Sequence, residues 1–139
     1  MPCTLLGRLL GTGKQAEVYE YGEGVLKLYR AGAPKSSAFR EAATLALVEG
    51  CGLPAPIVHE ARLYDGRWGL AMTKAAGPCF GEVLTREPEL APACLEAMVR
   101  LQRQIHAQPA PALPGLKARL ACNIERTSLL RLAGATMPA

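Results

Sequence analysis

The first third of the chain consists of short apolar runs separated by glycine-containing turns, a pattern typical of β-strands. Residues 5–11 (LLGRLLG) and 16–21 (AEVYEY) predict two strands joined by a polar glycine turn. A third predicted strand, residues 25–30 (VLKLYR), follows a break at GEG. Three strands in a meander are the simplest arrangement of these elements.

Alternation of side chains along a strand assigns each residue to a face of the predicted sheet. In the third strand Val25, Lys27 and Tyr29 share one face, whereas Leu26, Leu28 and Arg30 share the other. In the second strand one face carries Ala16, Val18 and Glu20. Lys27 is therefore expected to point inward beside Val25.

The pattern then changes from strand to helix and back again. Residues 35–49 contain no glycine or proline, are rich in alanine and leucine, and precede Gly50 and Gly52, so they predict an amphipathic helix. Residues 57–64 and 67–73 resume the strand pattern on either side of Asp65-Gly66, a pair typical of hairpin turns. Residues 5–73 therefore predict five strands and one helix in total.

The last part of the chain is predicted to be helical. Residues 75–81 (AAGPCFG) indicate a connector, and residues 89–107 a long helix. The proline-rich segment QPAPALPG separates that helix from a final one at residues 116–132.

Composition narrows the class of protein without identifying it. Half of the 139 residues are hydrophobic, which predicts one folded domain, and no stretch has the length or flanks of a membrane span or signal peptide. A cytoplasmic protein without a membrane partner is expected. The net charge is only +4, and the basic residues are scattered and have no aromatic residues interleaved with them. No nucleic-acid partner is therefore expected. The five cysteines do not have zinc-site spacing, and no metal site is expected.

Two charged residues in apolar surroundings are the main candidates for chemistry. Glu41 follows Ala38 and precedes Leu45 and Val48 at helical spacings, so its carboxylate lies in an apolar stripe. An inward lysine and an inward glutamate each need an opposite charge, because an unpaired buried charge is costly. We therefore predict that Lys27 pairs with Glu41; two solvated surface charges are the alternative.

Gly11 and Gly13 lie in the turn between the first two predicted strands. They either allow backbone amides to approach phosphate closely or serve only the turn itself.

These features together resemble the N-terminal lobe of the aminoglycoside phosphotransferase family, relatives of the protein kinases. The resemblance runs from about residue 5 to 132 through GTGKQAEVY, GVLKLYR, AFREAATLALVEG, GLPAPIVHEARLYDGRWGLAMTKAAG and LQRQIHAQPAPALPGL, in that order. It implies an α+β fold with a kinase-like N-lobe: a five-stranded antiparallel sheet with one packed helix, followed by two or more C-terminal helices. Residues 1–74 would form the nucleotide-binding lobe, 75–81 the hinge, and 82–139 a partial helical C-lobe.

The resemblance also implies roles for individual residues in binding ATP. Lys27 would contact the α- and β-phosphates and Glu41 would hold it, beneath a lid formed by Gly11 and Gly13. Apolar cover for adenine would come from Val18 and Val25. The backbone of Met72, Thr73 and Lys74, which lead into the hinge, would form hydrogen bonds with the base.

One part of the family pattern is missing. Family members transfer phosphate with an H-G-D-x-x-x-x-N loop and a further aspartate that binds Mg²⁺, but this chain has a single aspartate, Asp65, in the hairpin turn. We expect no ligands for Mg²⁺, weak nucleotide binding and no activity of the chain alone. Two hypotheses remain open: a truncated ATP-binding lobe of a small-molecule kinase, or a non-catalytic regulatory module that self-associates through its C-terminal helices. The acceptor would bind only if a C-lobe were supplied.

Overall fold

The computed structural model describes residues 6–109 and, beyond them, residues 112, 113, 115, 117, 118 and 120–125. The chain divides into two compact units between Pro109 and Ala110, and we describe each by itself. In the second unit, residues 117, 118 and 120–125 are helical, within the helix predicted at 116–132; the rest of that prediction lies outside the described residues. None of the described helices is long and apolar enough to cross a lipid bilayer.

The first unit is built around a five-stranded antiparallel sheet, as predicted. Its strands occur in the spatial order β1-β2-β3-β5-β4, and their bounds are β1 Leu6–Thr12, β2 Ala16–Tyr21, β3 Gly24–Tyr29, β4 Val58–Tyr64 and β5 Arg67–Met72. The hairpin between β4 and β5 turns at Asp65 and Gly66, which have φ of 49° and 80°. Positive φ at both central residues matches the right-handed twist of the flanking strands, and an Asp-Gly pair tolerates it.

Helix α1, Lys35–Gly50, follows β3 and packs on one face of the sheet. Pro34 precedes its first turn, and Gly52, with φ of 67°, allows the chain to turn away after the helix. Ala38 is completely buried against the sheet, and Ala42 and Leu45 continue the contact one and two turns later. The predicted helix therefore forms, and Ala38 and Leu45 of the predicted stripe pack against the sheet.

Each face of the sheet has its own apolar cluster. The helix-facing cluster is centred on Ala16, Val25, Tyr29, Ala38, Leu70 and Met72. On the other face Leu26, Leu28, Tyr64 and Ala71 are buried under partly buried Leu6, Tyr19 and Tyr21. Burial on both sides fixes the register of β3, because a shift by one residue would exchange its two faces.

Two short elements after β5 were not predicted. Helix α2, Phe80–Arg86, begins inside the segment predicted as a connector, and a 3₁₀ turn, Pro88–Leu90, follows it. A local cap starts α2, since the Glu82 carboxylate accepts a hydrogen bond of 3.1 Å from the backbone N–H of Cys79. The long helix α3, Ala91–His106, lies within the predicted range 89–107.

Candidate functional site

Lys27 and Glu41 form the ion pair that the sequence predicts. The Nζ atom of Lys27 lies 2.7 Å from Oε1 and 2.8 Å from Oε2 of Glu41, so both carboxylate oxygens accept from one ammonium. β3 supplies the lysine and α1 the glutamate. The two side chains are 30% and 31% exposed, so the pair lies at the edge of the core and is partly open to solvent.

Strand register places most of the other predicted residues in two rows beside this pair. One row runs across the sheet through Gly11, Val18, Lys27 and Leu70. The next row runs through Glu20, Val25 and Met72. Directly opposed residues share a face of the sheet, so the face that carries Lys27 also carries Val18 and Val25.

The hairpin of β1 and β2 has open space at Gly11, which lies near the end of β1 and pairs with Val18. Gly11 does not have a positive φ, and a Cβ added to it would meet no atom within 4 Å. Gly13 also lacks a positive φ, and its added Cβ would lie 3.4 Å from the carbonyl oxygen of Ala16. Gly24 is different, because its added Cβ would come within 2.4 Å of the Met72 carbonyl oxygen. The chain's own packing requires glycine at position 24 and not at position 11.

Arg30 fastens the glycine turn to the end of β3. Its guanidinium donates to the backbone carbonyl of Lys14 at 3.1 Å and to that of Gly13 at 3.0 Å. Its backbone N–H also donates to the carbonyl of Gln15 at 2.9 Å. Sequence reasoning assigned Arg30 only to a face, because nothing in the local pattern indicates a contact to residues so far back in the chain.

Tyr29 is the third member of the Lys27–Glu41 cluster, and sequence reasoning gave it no role. Its hydroxyl donates to Oε2 of Glu41 and lies 3.5 Å from the carbonyl oxygen of Ser37 in the first turn of α1. Nζ of Lys27 lies 5.6 Å from the centre of the Tyr29 ring. Burial, followed by the bond to Glu41, raises the pKa of Tyr29. The sequence feature that could have identified Tyr29 is its position two residues after Lys27, on the same face of the predicted strand.

The predicted hinge begins where β5 ends. Met72 is buried within the helix-facing cluster, and Val25 is its cross-strand partner. The backbone N–H of Thr73 donates to the carbonyl of Ile57 at 3.0 Å, and the Thr73 hydroxyl accepts from the N–H of Ile57 at 2.9 Å. Thr73 is therefore held by the segment before β4, and its N–H is already paired.

Lys74 joins a small charged cluster on Glu20. Lys74 Nζ and Arg8 both lie 3.3 Å from Oε1 of Glu20. The hydrogen bond from Lys74, and next that from Arg8, hold the pKa of Glu20 below its ordinary value. The carboxylate is ionised at neutral pH, so this end of the Lys27-bearing face carries a negative charge between two positive ones.

A cleft of about 500 Å³ lies at the end of the sheet where the hinge begins. Its lining includes Val25, Met72, Thr73 and Lys74, together with Tyr21, Glu23, Gly24, His59, Glu60 and Ala71. It includes neither Lys27 nor Glu41. Tyr21 and Ala71 belong to the apolar cluster on the face opposite the helix, so much of this cleft lies behind the hinge, away from the ion pair.

The fold and the ion pair together define the class of protein. A five-stranded antiparallel sheet, one helix packed on it and a strand lysine bonded to a helix glutamate make up a kinase-like N-lobe, followed by helices. In agreement, the sequence profile of the phosphotransferase enzyme family matches residues 8–135. The chain belongs to this family of kinase-like phosphotransferases, which confirms the resemblance. A comparison with curated proteins found no match.

Proposed function

We propose that residues 1–74 are the ATP-binding lobe of an aminoglycoside-phosphotransferase-like kinase, which transfers a phosphoryl group from ATP to a hydroxyl. The observation that carries the proposal is the ammonium of Lys27, held by both oxygens of Glu41 and still partly exposed. A lysine fixed in this way offers a positive charge at one defined place. The α- and β-phosphates of ATP are anions suited to it.

The glycine turn completes the phosphate site in this proposal. Gly11 lies in the same row as Lys27, two strands away, and has open space above it. Backbone N–H groups beside Gly11 and Gly13 can approach phosphate oxygens where a side chain would keep them apart. Arg30 keeps the turn close to the strand that carries Lys27.

Adenine would lie on Val18 and Val25, with its polar edge at the hinge. The Thr73 N–H is bonded to Ile57, so in this proposal the base uses the carbonyl of Thr73 and the N–H of Lys74. Lys74 reaches back to Glu20 across the same face. The Glu20 carboxylate would then border the sugar or the outer edge of the base.

The residues that the structure describes do not fit a magnesium site. The chain contains one aspartate, Asp65, at the hairpin turn between β4 and β5. Among the described residues no group of three or more His, Cys, Asp or Glu side chains is placed to hold a metal ion. Without the catalytic-loop and metal-binding aspartates, the chain alone would bind ATP weakly and transfer no phosphate. An acceptor would require a C-lobe supplied from elsewhere.

Calorimetric titration of the full chain with ATP tests this function. We expect measurable binding that Lys27→Ala weakens by about tenfold or more, the loss expected for a charge-assisted contact. Lys35→Ala is the matched control, because Lys35 lies over the rings of Phe39 and Trp68 and outside the proposed site. Absence of binding, or equal affinity of wild type and Lys27→Ala, would contradict the proposal.

A second candidate function is a non-catalytic module that self-associates through its C-terminal helices. The observation in its favour is the exposed apolar side of α3, formed by Leu95, Met98, Val99 and Ile105. ATP distinguishes the two candidates, because a ligand that binds only the folded state raises the melting temperature. A melting temperature that rises with ATP in wild type and not in Lys27→Ala supports the ATP-binding lobe. A melting temperature that ATP does not change, in a chain that forms oligomers, supports the non-catalytic module.

A further inference from the structure

We propose that Tyr29 is a positioning residue for Lys27, acting through Glu41. Its hydroxyl donates to Oε2 of Glu41, the carboxylate oxygen that also accepts from Lys27 at 2.8 Å. Tyr29 is 3% exposed, whereas Lys27 and Glu41 are each about a third exposed. The phenol is thus the most buried member of the cluster, and we infer that it fixes where the carboxylate sits.

The geometry explains why the ion pair needs a third partner. A carboxylate has about four acceptor positions, and Lys27 occupies one on each oxygen. A half-exposed glutamate on a helix otherwise has other rotamers in which water replaces the lysine. The bond from Tyr29 selects the rotamer in which both oxygens face the ammonium. The nearby carbonyl of Ser37, 3.5 Å from the hydroxyl, places the phenol against the first turn of α1.

The third partner also matters when an anion reaches the lysine. An ammonium that turns towards a phosphate gives up part of its contact with Glu41, and an uncompensated carboxylate at the edge of the core is costly. The Tyr29 hydroxyl stays bonded to Oε2 and limits that cost. Burial and Glu41 both raise the pKa of Tyr29, so the phenol stays protonated and remains a donor at physiological pH.

Acylation of lysine amines tests this role without any nucleotide. A lysine held by two carboxylate hydrogen bonds reacts slowly, because its ammonium has to leave the pair and give a proton to water before the nitrogen can attack. In the full chain, Tyr29→Phe is expected to speed acylation of Lys27 about fivefold, measured by mass spectrometry against Lys74 in the same molecule. Lys74 bonds Glu20 and not Glu41, so its rate should not change.

Tyr64→Phe is the matched control. Tyr64 is 4% exposed, and its hydroxyl donates to Oε2 of Glu60 at 3.0 Å, so the variant loses the same kind of bond on the opposite face of the sheet. It should leave Lys27 acylation unchanged. Glu41→Gln keeps the shape of the partner and weakens the pair directly, and it should speed acylation. Adding Tyr29→Phe to Glu41→Gln should then change nothing further.

Nucleotide affinity provides a second readout, which rests on the function proposed above. Tyr29→Phe is expected to weaken ATP binding about fivefold in an otherwise wild-type chain and not at all in Lys27→Ala. If wild type binds no ATP, the proposed function fails, and acylation alone decides the role of Tyr29. If Glu41→Gln speeds acylation of Lys27 and Tyr29→Phe does not, Tyr29 is a core residue only, and the inference is overturned.

Discussion

At the scale of single residues, Gly11 on β1 and Gly24 on β3 show which positions the fold requires to be glycine. Gly24 is required because the Met72 carbonyl occupies the space of a side chain, whereas Gly11 faces open space. Neither position has a positive φ. A glycine that the fold does not need, in the same row of the sheet as a fixed lysine, is what a ligand that approaches the backbone would require.

The corresponding prediction compares Gly11→Ala with Gly24→Ala. Gly11→Ala should leave the free energy of unfolding unchanged or raise it by about 0.5 kcal/mol, because alanine lowers the entropy of the unfolded chain. Gly24→Ala should lower it by about 2 kcal/mol, because the new methyl overlaps backbone. Urea unfolding measures both values. Gly11→Ala should also weaken ATP binding, since the methyl stands where phosphate would approach.

Equal destabilisation by the two alanines would show that the turn itself needs Gly11. Wild-type ATP affinity in a stable Gly11→Ala variant would show that no ligand comes close to this position. Either result would remove the glycine turn from the proposed phosphate site.

A second residue-scale prediction concerns acid stability. The hydrogen bond from Arg67, followed by that from Tyr19, lowers the pKa of Glu17 in the folded chain. A carboxyl group whose pKa is lower in the folded than in the unfolded chain stabilises the fold at pH values above its unfolded-state pKa. This stabilisation is lost as the pH falls through the pKa of the folded state. Glu17→Gln should therefore flatten the fall in melting temperature below about pH 5. Part of the decrease in melting temperature should remain in this variant, because the pKa of Glu20 is also lowered in the folded chain.

Melting temperatures followed by circular dichroism across this acid range provide the measurement. Glu49→Gln is the control, because Glu49 is exposed near the end of α1. The same acid slope in wild type and in Glu17→Gln would contradict the assigned role of Arg67.

At the scale of whole elements, the sequence predicts what depends on local periodicity. The five strands, α1 and the Lys27–Glu41 pair follow from alternation along β3 and from the stripe of α1, because each charge falls on a face that is otherwise apolar. Helix α2 was missed because its seven residues are too few to show a periodic stripe, and a local cap starts it. The roles of Tyr29 and Arg30 were missed because both depend on contacts made only after strands and helix pack.

The element-scale prediction concerns the hairpin of β1 and β2. Arg30→Ala removes two side-chain hydrogen bonds to carbonyls of the glycine turn and leaves the backbone register intact. Amide hydrogen exchange at Gly13, whose N–H bonds the Ala16 carbonyl at 2.8 Å, should speed up roughly fivefold. Exchange in β5 should not change. Arg40→Ala, at an exposed arginine on α1, is the control, and equal exchange in both variants would mean that Arg30 does not hold the turn.

At the scale of the whole molecule, helix α3 has an apolar side that is exposed in the part of the chain that the structure describes. Cys94 of α3 is buried, whereas Leu95 and Val99, one turn apart, are 57% and 53% exposed. Met98 and Ile105 extend the exposed stripe at helical spacing. Exposed leucine and valine side chains gain free energy when they leave water, so a chain that presents them side by side tends to associate with a second copy.

Sedimentation of the full chain over a range of concentrations tests this association. We expect a concentration-dependent dimer that Leu95→Lys with Val99→Lys weakens by about tenfold or more, because two like charges would then face the partner. Leu63→Lys is the matched control, since Leu63 is 49% exposed on β4 in a different part of the first unit. A chain that stays monomeric at its highest soluble concentration would contradict the prediction. A dimer that Leu63→Lys weakens and the α3 variant leaves unchanged would place the contact surface on the sheet and not on α3.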